Sequence, residues 1–305
     1  MCAELESAPA VLGVGDAHVE NFGTWRDGEG RLVWGANDVD EEAVLPYADD
    51  LVRIATSVAV AAGDTKLALD LPEVRTDLLS GYEAALLRGG EPFVLSERHL
   101  WLAGLARAAR KDPPTFWAKL VGLAPVDPNE VDPGARSALL AALPDPTRCH
   151  SFHRRVAGVG SLGRPRFLAI AAWRGGWVAR EAKAVAPSSW GERATNPPVS
   201  YELLARAVRS PDPIVGVRDR WLVRRLAPDC ARVELADQPK ARQEGRLLRA
   251  MGAELANAHL GTPEAAGSVA DDLARRPRGW LADAASAMSA DTTADWRAWA
   301  RDRSP

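Results

Sequence analysis

Two short acidic segments near the start of the chain carry the residue types that chemistry needs. GDAHVENFG (15–23) puts a carboxylate, Asp16, an imidazole, His18, and an amide, Asn21, within six residues, directly after an apolar, strand-like run. A loop at a strand end is where reactive groups commonly sit. The five-residue step from Asp16 to Asn21 lets a curled loop aim both at one point. NDVDEE (37–42) follows a second strand-like run and adds Asp38 and Asp40. Carboxylates gathered in one place repel one another unless a cation lies among them. Hard oxygen donors of this kind suit magnesium, which is often held by one or two carboxylates plus substrate phosphates. Asp, Asn and Gly are also ordinary turn formers, the plainer account of either motif taken alone.

A second group lies far along the chain. GVGSLG (158–163) fits a GxGxxG pattern through Gly158, Gly160 and Gly163, with Ser161 between them. A dinucleotide fold requires a helix opening at the third glycine. Here Arg164-Pro165 and a strand-like run follow, so the loop joins two antiparallel strands, the arrangement that covers ATP phosphates in kinases. Lys183 lies on the next expected strand, where a compact ammonium can reach phosphate.

The elements that must position these groups are legible in outline. VLGVG (11–15) and RLVWGAND (31–38) read as strands, with a turn at DGEG (27–30). DDLVRIATSVAVAA (49–62) reads as a buried helix. A second helix starts near Asp70-Leu71-Pro72, repeats Val74, Leu78, Tyr82 and Leu86, and ends at Gly89-Gly90. Residues 150–228 look strand-rich: RFLAIAAW, a turn at RGG, the hairpin partner WVAREAKAV, and RWLVRRLA (220–227), with a short helix at YELLARAV (201–208). Residues 238–260 form an amphipathic helix with Leu248, Met251, Leu255 and Ala258 on one face. The expected divisions are 1–148, a catalytic-loop and helical lobe; 149–228, a strand-rich nucleotide lobe; and 229–305, helices returning to the first lobe.

Composition narrows the function classes. A hydrophobic fraction of 47% and a charged fraction of 26% are ordinary for a globular chain. A net charge of −3 argues against a nonspecific nucleic-acid binder. Cys2, Cys149 and Cys230 show no metal or disulfide spacing, which fits a reducing cytoplasm. The first residues are acidic where a secretory leader is basic, and no apolar run reaches the roughly 20 residues of a bilayer span.

GDAHVENFG, NDVDEE, LPYADDLVRIATS, GVGSLG and the lysine of AREAKAVAPSS together resemble a bacterial family, domain of unknown function 2252. That family is grouped with the protein-kinase-like and aminoglycoside-phosphotransferase superfamily. The resemblance runs from about residue 11 to 260. It implies an α+β, kinase-like bilobal fold, with Asp16 as catalytic-loop aspartate, Asn21 and Asp38 as magnesium ligands and Asp40 as a second metal candidate. Asp50 braces the catalytic loop, Lys183 contacts phosphate, and Gly158, Gly160, Ser161 and Gly163 cover the nucleotide. The motif order is that of a kinase cut before its catalytic loop and rejoined at its old ends, a circular permutation. LANAHL (255–260) is similar to the helix end that precedes the loop in phosphotransferases. Val14 and Val39 depart from the pattern, and Glu202 or Glu192 is the partner sought for Lys183.

The function implied is Mg-ATP-dependent transfer of phosphate to an unidentified hydroxyl, with Asp16 as base and His18 shaping the loop or touching substrate or metal. A catalytically inactive nucleotide-binding protein, AMP transfer, and a two-metal phosphoesterase using His150 and His153 are the alternatives. The partners expected are a nucleotide and a small-molecule or protein acceptor, with no nucleic acid or membrane. His259, on the apolar stripe, reads as a core histidine.

Overall fold

The computed structural model describes residues 3–64, 71–156, 164–190, 201–233 and 243–302. It is a mixed α+β architecture. The chain opens with α1 (Ala3–Glu6) and β1 (Ala10–Gly13), then a 3-10 turn (Val19–Asn21). Three strands follow, β2 (Phe22–Arg26), β3 (Leu32–Ala36) and β4 (Ala43–Pro46), before the long helices α2 (Tyr47–Asp64) and α3 (Leu71–Arg88). Next come β5 (Phe93–Val94), α4 (Leu100–Ala109), α5 (Pro113–Val121), β6 (Pro125–Val126) and α6 (Pro133–Ala142). The strand-rich part holds β7 (Cys149–Arg154), β8 (Arg166–Trp173) and β9 (Gly176–Ala184), then α7 (Glu202–Arg206), β10 (Gly216–Arg218) and β11 (Trp221–Leu226). The helices α8 (Glu244–His259), α9 (Ala265–Arg275) and α10 (Trp280–Asp302) close the chain. Among the described residues, no helix is long and apolar enough to cross a membrane.

The main core is built by helical periodicity. Leu51, Ile54, Ala55 and Val58 of α2 are buried, as are Val74, Leu78, Tyr82 and Leu86 of α3 and Leu248, Met251, Leu255 and Ala258 of α8. Side chains three and four apart share a helix face, so each stripe meets the next. The α3–α8 crossing is backbone-close. A Cβ built on Gly81 falls 2.0 Å from the Arg249 carbonyl oxygen, and one built on Gly252 falls 2.0 Å from that of Leu78. Only glycine fits both sides of that contact. Against this core lie two small sheets, the antiparallel pair β1–β4 and the three strands β2–β3–β5. The strand β2, unexpected from sequence, is the tail of the first acidic motif paired with β3.

The six-stranded antiparallel sheet runs β10–β11–β9–β8–β7–β6. Antiparallel partners share a face, so register decides which residues meet. Phe167 pairs with Ala182, and this face packs on α6 through Leu139, Trp221 and Val223. Leu168 pairs with Glu181 and Ile170 with Ala179 on the other face, where Leu168, Ile170 and Ala179 are covered by Leu120 of α5. Covering both faces explains the unbroken apolar run of RFLAIAAW. Since α5 and α6 pack on this sheet, packing changes over near residue 110 rather than at the expected 148.

Candidate functional site

The first acidic loop is held from beneath. Asp50, in the first turn of α2, has no exposed surface; it accepts N–H bonds from Val14 (2.7 Å) and Gly15 (3.0 Å). His259 Nε2 donates to the same carboxyl group at 3.0 Å, which leaves Nδ1 to accept from the Tyr82 hydroxyl at 2.9 Å. His259 is therefore a core histidine with both ring nitrogens engaged. Gly15 has φ 77°, and a Cβ there would lie 1.8 Å from the Glu41 carbonyl oxygen. Glycine is required on both counts. Asp16 is the next residue, half exposed, with Arg53 bonded to its carboxylate at 2.5 Å. The Arg53 guanidinium lies 5.9 Å from the Trp190 ring centre, and Trp190 Nε1–H donates to the Gly15 carbonyl at 2.9 Å.

Asn21 joins the two acidic loops. Its Nδ2 donates to the carbonyls of Asp38 (2.7 Å) and Asp16 (3.3 Å), and its Oδ1 accepts the Asp38 N–H at 2.7 Å. The β2–β3 register, Phe22 opposite Ala36, sets these loops side by side. Asn21 is thus first a clamp between backbones. One lone pair of Oδ1 remains for a cation.

Lys183 arrives from the six-stranded sheet. Its buried ammonium lies 3.6 Å from Asp38 Oδ1 and forms a closer ion pair with Asp40. Burial lowers the pKa of Lys183, an effect Asp38 opposes and Arg224 reinforces. Asp40 also accepts from the Tyr201 hydroxyl at 2.6 Å and lies 3.5 Å from Arg164. Glu41 beside it holds the Ser189 N–H and hydroxyl and the Ser188 hydroxyl. Two expectations change here. Asp40, expected as a second metal candidate, is enclosed by protein donors and is the counter-ion that was sought for Lys183 at Glu202 or Glu192. Glu202 is not that counter-ion, since it pairs with Arg206 at 2.9 Å. Glu192 and the glycine-loop residues Gly158, Gly160, Ser161 and Gly163 lie outside the described residues.

Residues 1–99 match the model of a family described as an uncharacterized protein conserved in bacteria, domain of unknown function 2252. No curated protein and no solved structure matches the chain. The stretch matched by the family model contains both acidic loops, Asp50 and Arg53, but neither Lys183 nor the six-stranded sheet. The family match therefore bears on the acidic half of the site, and the structure supplies the basic half.

That basic half lines a cavity of about 450 Å³. His18, Asn21 and Asp38 line it together with Arg155, Arg166 and Arg224. The three arginines converge on Glu181, which has no exposed surface: Arg155 at 2.5 Å, Arg224 at 2.6 Å and Arg166 at 3.4 Å. Burial alone would raise the Glu181 pKa, but Arg224, Arg155 and Arg166 outweigh it and pull it to about 2. Sequence reasoning missed this group. Its signal was present as charged residues at period two inside apolar strands, Glu181 and Lys183 on one strand and Arg224 on another.

The donor set around Asp38 fits magnesium with ligand phosphates. Asp38 is about half exposed on the cleft, and Asn21 Oδ1 is adjacent to it. Among the described residues no group of three or more His, Cys, Asp or Glu could hold a metal by itself, so a cation at Asp38 needs oxygens from its ligand. His153 is buried, with its ring bonded to Ser151 (2.7 Å) and the Ala124 carbonyl (3.1 Å), and forms no metal pair with His150.

Proposed function

We propose that the chain is a Mg-ATP-dependent phosphotransferase of circularly permuted, kinase-like architecture, acting on a hydroxyl acceptor. The observation that carries this reading is the meeting of Asp38 and Lys183, remote in sequence, at 3.6 Å beside one cavity. Strand order supports it. The GVGSLG motif falls in sequence between β7 and β8, and the lysine follows on β9, an order similar to that of protein kinases. Support also comes from α8, whose last residue, His259, underpins the Asp16 loop through Asp50.

In this scheme Asp38 and Asn21 hold magnesium, which neutralises phosphate charge. Lys183 and the arginine wall orient the phosphates. Asp16 accepts the proton of the acceptor hydroxyl, an assistance worth roughly 10²- to 10⁴-fold. Thermal-shift measurements with ATP, with and without magnesium, followed by assay of ADP and AMP release, test it. Asp38→Asn should abolish the magnesium-dependent shift, and Asp16→Asn should abolish turnover while sparing ATP binding. A folded protein that ATP stabilises equally with and without magnesium would falsify the scheme.

One observation favours a second reading, nucleotide binding without transfer. Asp16 is bound to Arg53, Lys183 to Asp40 and Asn21 to both loops, so each reactive group already has an internal partner. ATP binding with no turnover under any acceptor identifies that case.

A further inference from the structure

The charges beside the cavity are unevenly matched. Lys183 faces two carboxylates, Asp38 and Asp40, and Arg164 is shared between Asp40 and Glu41. An anion at Lys183 therefore requires a divalent cation to offset those acids. The arginines of the lining differ. Three guanidiniums contact the single carboxylate of Glu181, Asp38 acts on Arg166 and Arg224 at longer range, and Arg166 keeps a buried Nε–H with no partner. Lys111 adds a fourth cation to the lining, exposed and without an ion pair among the described residues. The remaining lining cations are already paired, Arg225 with Asp212 at 3.3 Å and Arg232 with Glu20 at 3.4 Å.

From this surplus we infer that the wall of Arg155, Arg166, Arg224 and Lys111 is a binding site for a phosphate dianion, and that it works without a metal. Register provides the arrangement: Arg224 lies opposite Glu181 across β11 and β9, and Arg166 lies opposite Lys183 across β8 and β9. Glu181 spaces the guanidiniums into a fan that one small anion can touch at several points. Guanidinium forks match phosphate oxygens better than point charges do, and the cavity has room for an organic group attached to the phosphate. The phosphate has two possible sources, the nucleotide itself or a phosphorylated acceptor. The wall also orients phosphates in the phosphotransferase scheme, on which this inference builds by adding that the wall binds them without magnesium; loss of metal-free binding leaves the scheme's magnesium test standing, so the two fail separately.

Calorimetric titration of the full chain in EDTA, with inorganic pyrophosphate and with glucose 6-phosphate, tests the inference. Saturable binding is expected, absent with glucose or with sodium chloride at equal ionic strength. Arg224→Gln should weaken it about tenfold or more, the loss of one charge-assisted contact. Because Arg224 also touches Glu181, Lys111→Gln serves as the second variant; exposed and in no ion pair among the described residues, with its ammonium 5.7 Å from the Phe116 ring centre, it should fold normally and weaken binding several-fold. Arg249→Gln, on the surface beside Asp77, should change nothing. Repeating the glucose 6-phosphate titration under saturating Mg-ATP assigns the source: displacement means the wall takes nucleotide phosphate, persistence means a phosphorylated acceptor. No metal-free binding, or equal affinity in wild type and Lys111→Gln, overturns the inference, whatever ATP and magnesium do.

Discussion

Replacing Asp50 by alanine is the most direct test of how the acidic loop is held. The side chain is fully buried and accepts three hydrogen bonds, from Val14, Gly15 and His259. Its loss strands two backbone N–H groups and an imidazole N–H. Each unsatisfied buried donor costs about 1–3 kcal/mol, and removing one partner of a buried pair costs about 3–5 kcal/mol in total, since the terms overlap. A loss of about 4 kcal/mol is therefore expected, a large share of the roughly 5–15 kcal/mol that stabilises most domains. With a urea slope of about 2–3 kcal/mol/M, the unfolding midpoint should fall by about 1–2 M. Asp50→Asn keeps the volume and one acceptor, so its shift should be clearly smaller. The double variant Asp50→Ala/His259→Ala should cost less than the two singles added together, because they share one bond. A midpoint within about 0.3 M of wild type in Asp50→Ala would show that the loop does not depend on this brace.

Three further outcomes are expected. Gly15→Ala should destabilise by more than about 2 kcal/mol and abolish the magnesium-dependent effect of ATP, because its Cβ collides with the Glu41 carbonyl at a positive φ; chemical denaturation and thermal shift measure both. Gly252→Ala should unfold at markedly lower denaturant for a different reason, the backbone contact of α8 with α3, and should leave the chemistry of any folded fraction unchanged. Glu181 has a folded-state pKa of about 2, below its ordinary value of 4.5, so its contribution is complete above pH 4.5 and fades as pH falls toward 2. The stability gap between wild type and Glu181→Gln should therefore be widest near neutral pH, about 3 kcal/mol from this titration, and should narrow on acidification; a gap that stays constant from pH 7 to 2.5 contradicts the arginine fan.

What the sequence revealed depended on how local each signal was. The four-residue recurrence of Val74, Leu78, Tyr82 and Leu86 marks a helix face without knowledge of its partner, and the α8 stripe does the same. Asp16 and Asp38 stood out in the sequence as turn-forming acids after apolar runs, and Asn21 by its step of five from Asp16; the structure sets the two loops side by side through Asn21. Lys183 was legible from its strand, and the structure brings it to the acidic loops. Its counter-ion was not, because Asp40, in the loop between β3 and β4, meets β9 only through the tertiary fold. The arginine fan was hidden for a related reason: Arg166, Glu181 and Arg224 become neighbours only when the register of β8, β9 and β11 is known. The placement of α5 and α6 on the six-stranded sheet was likewise invisible, since short apolar helices fit either core.

The contact between Asp50 and His259 spans 209 positions of chain. During translation the acidic loops leave the ribosome long before α8 does. Until α8 emerges and docks, Val14 and Gly15 have Asp50 but Asp50 lacks the imidazole that fixes it. The nascent N-terminal half is thus expected to remain silent toward its ligand, with competence arriving in one late step when the last turn of α8 closes under the loop.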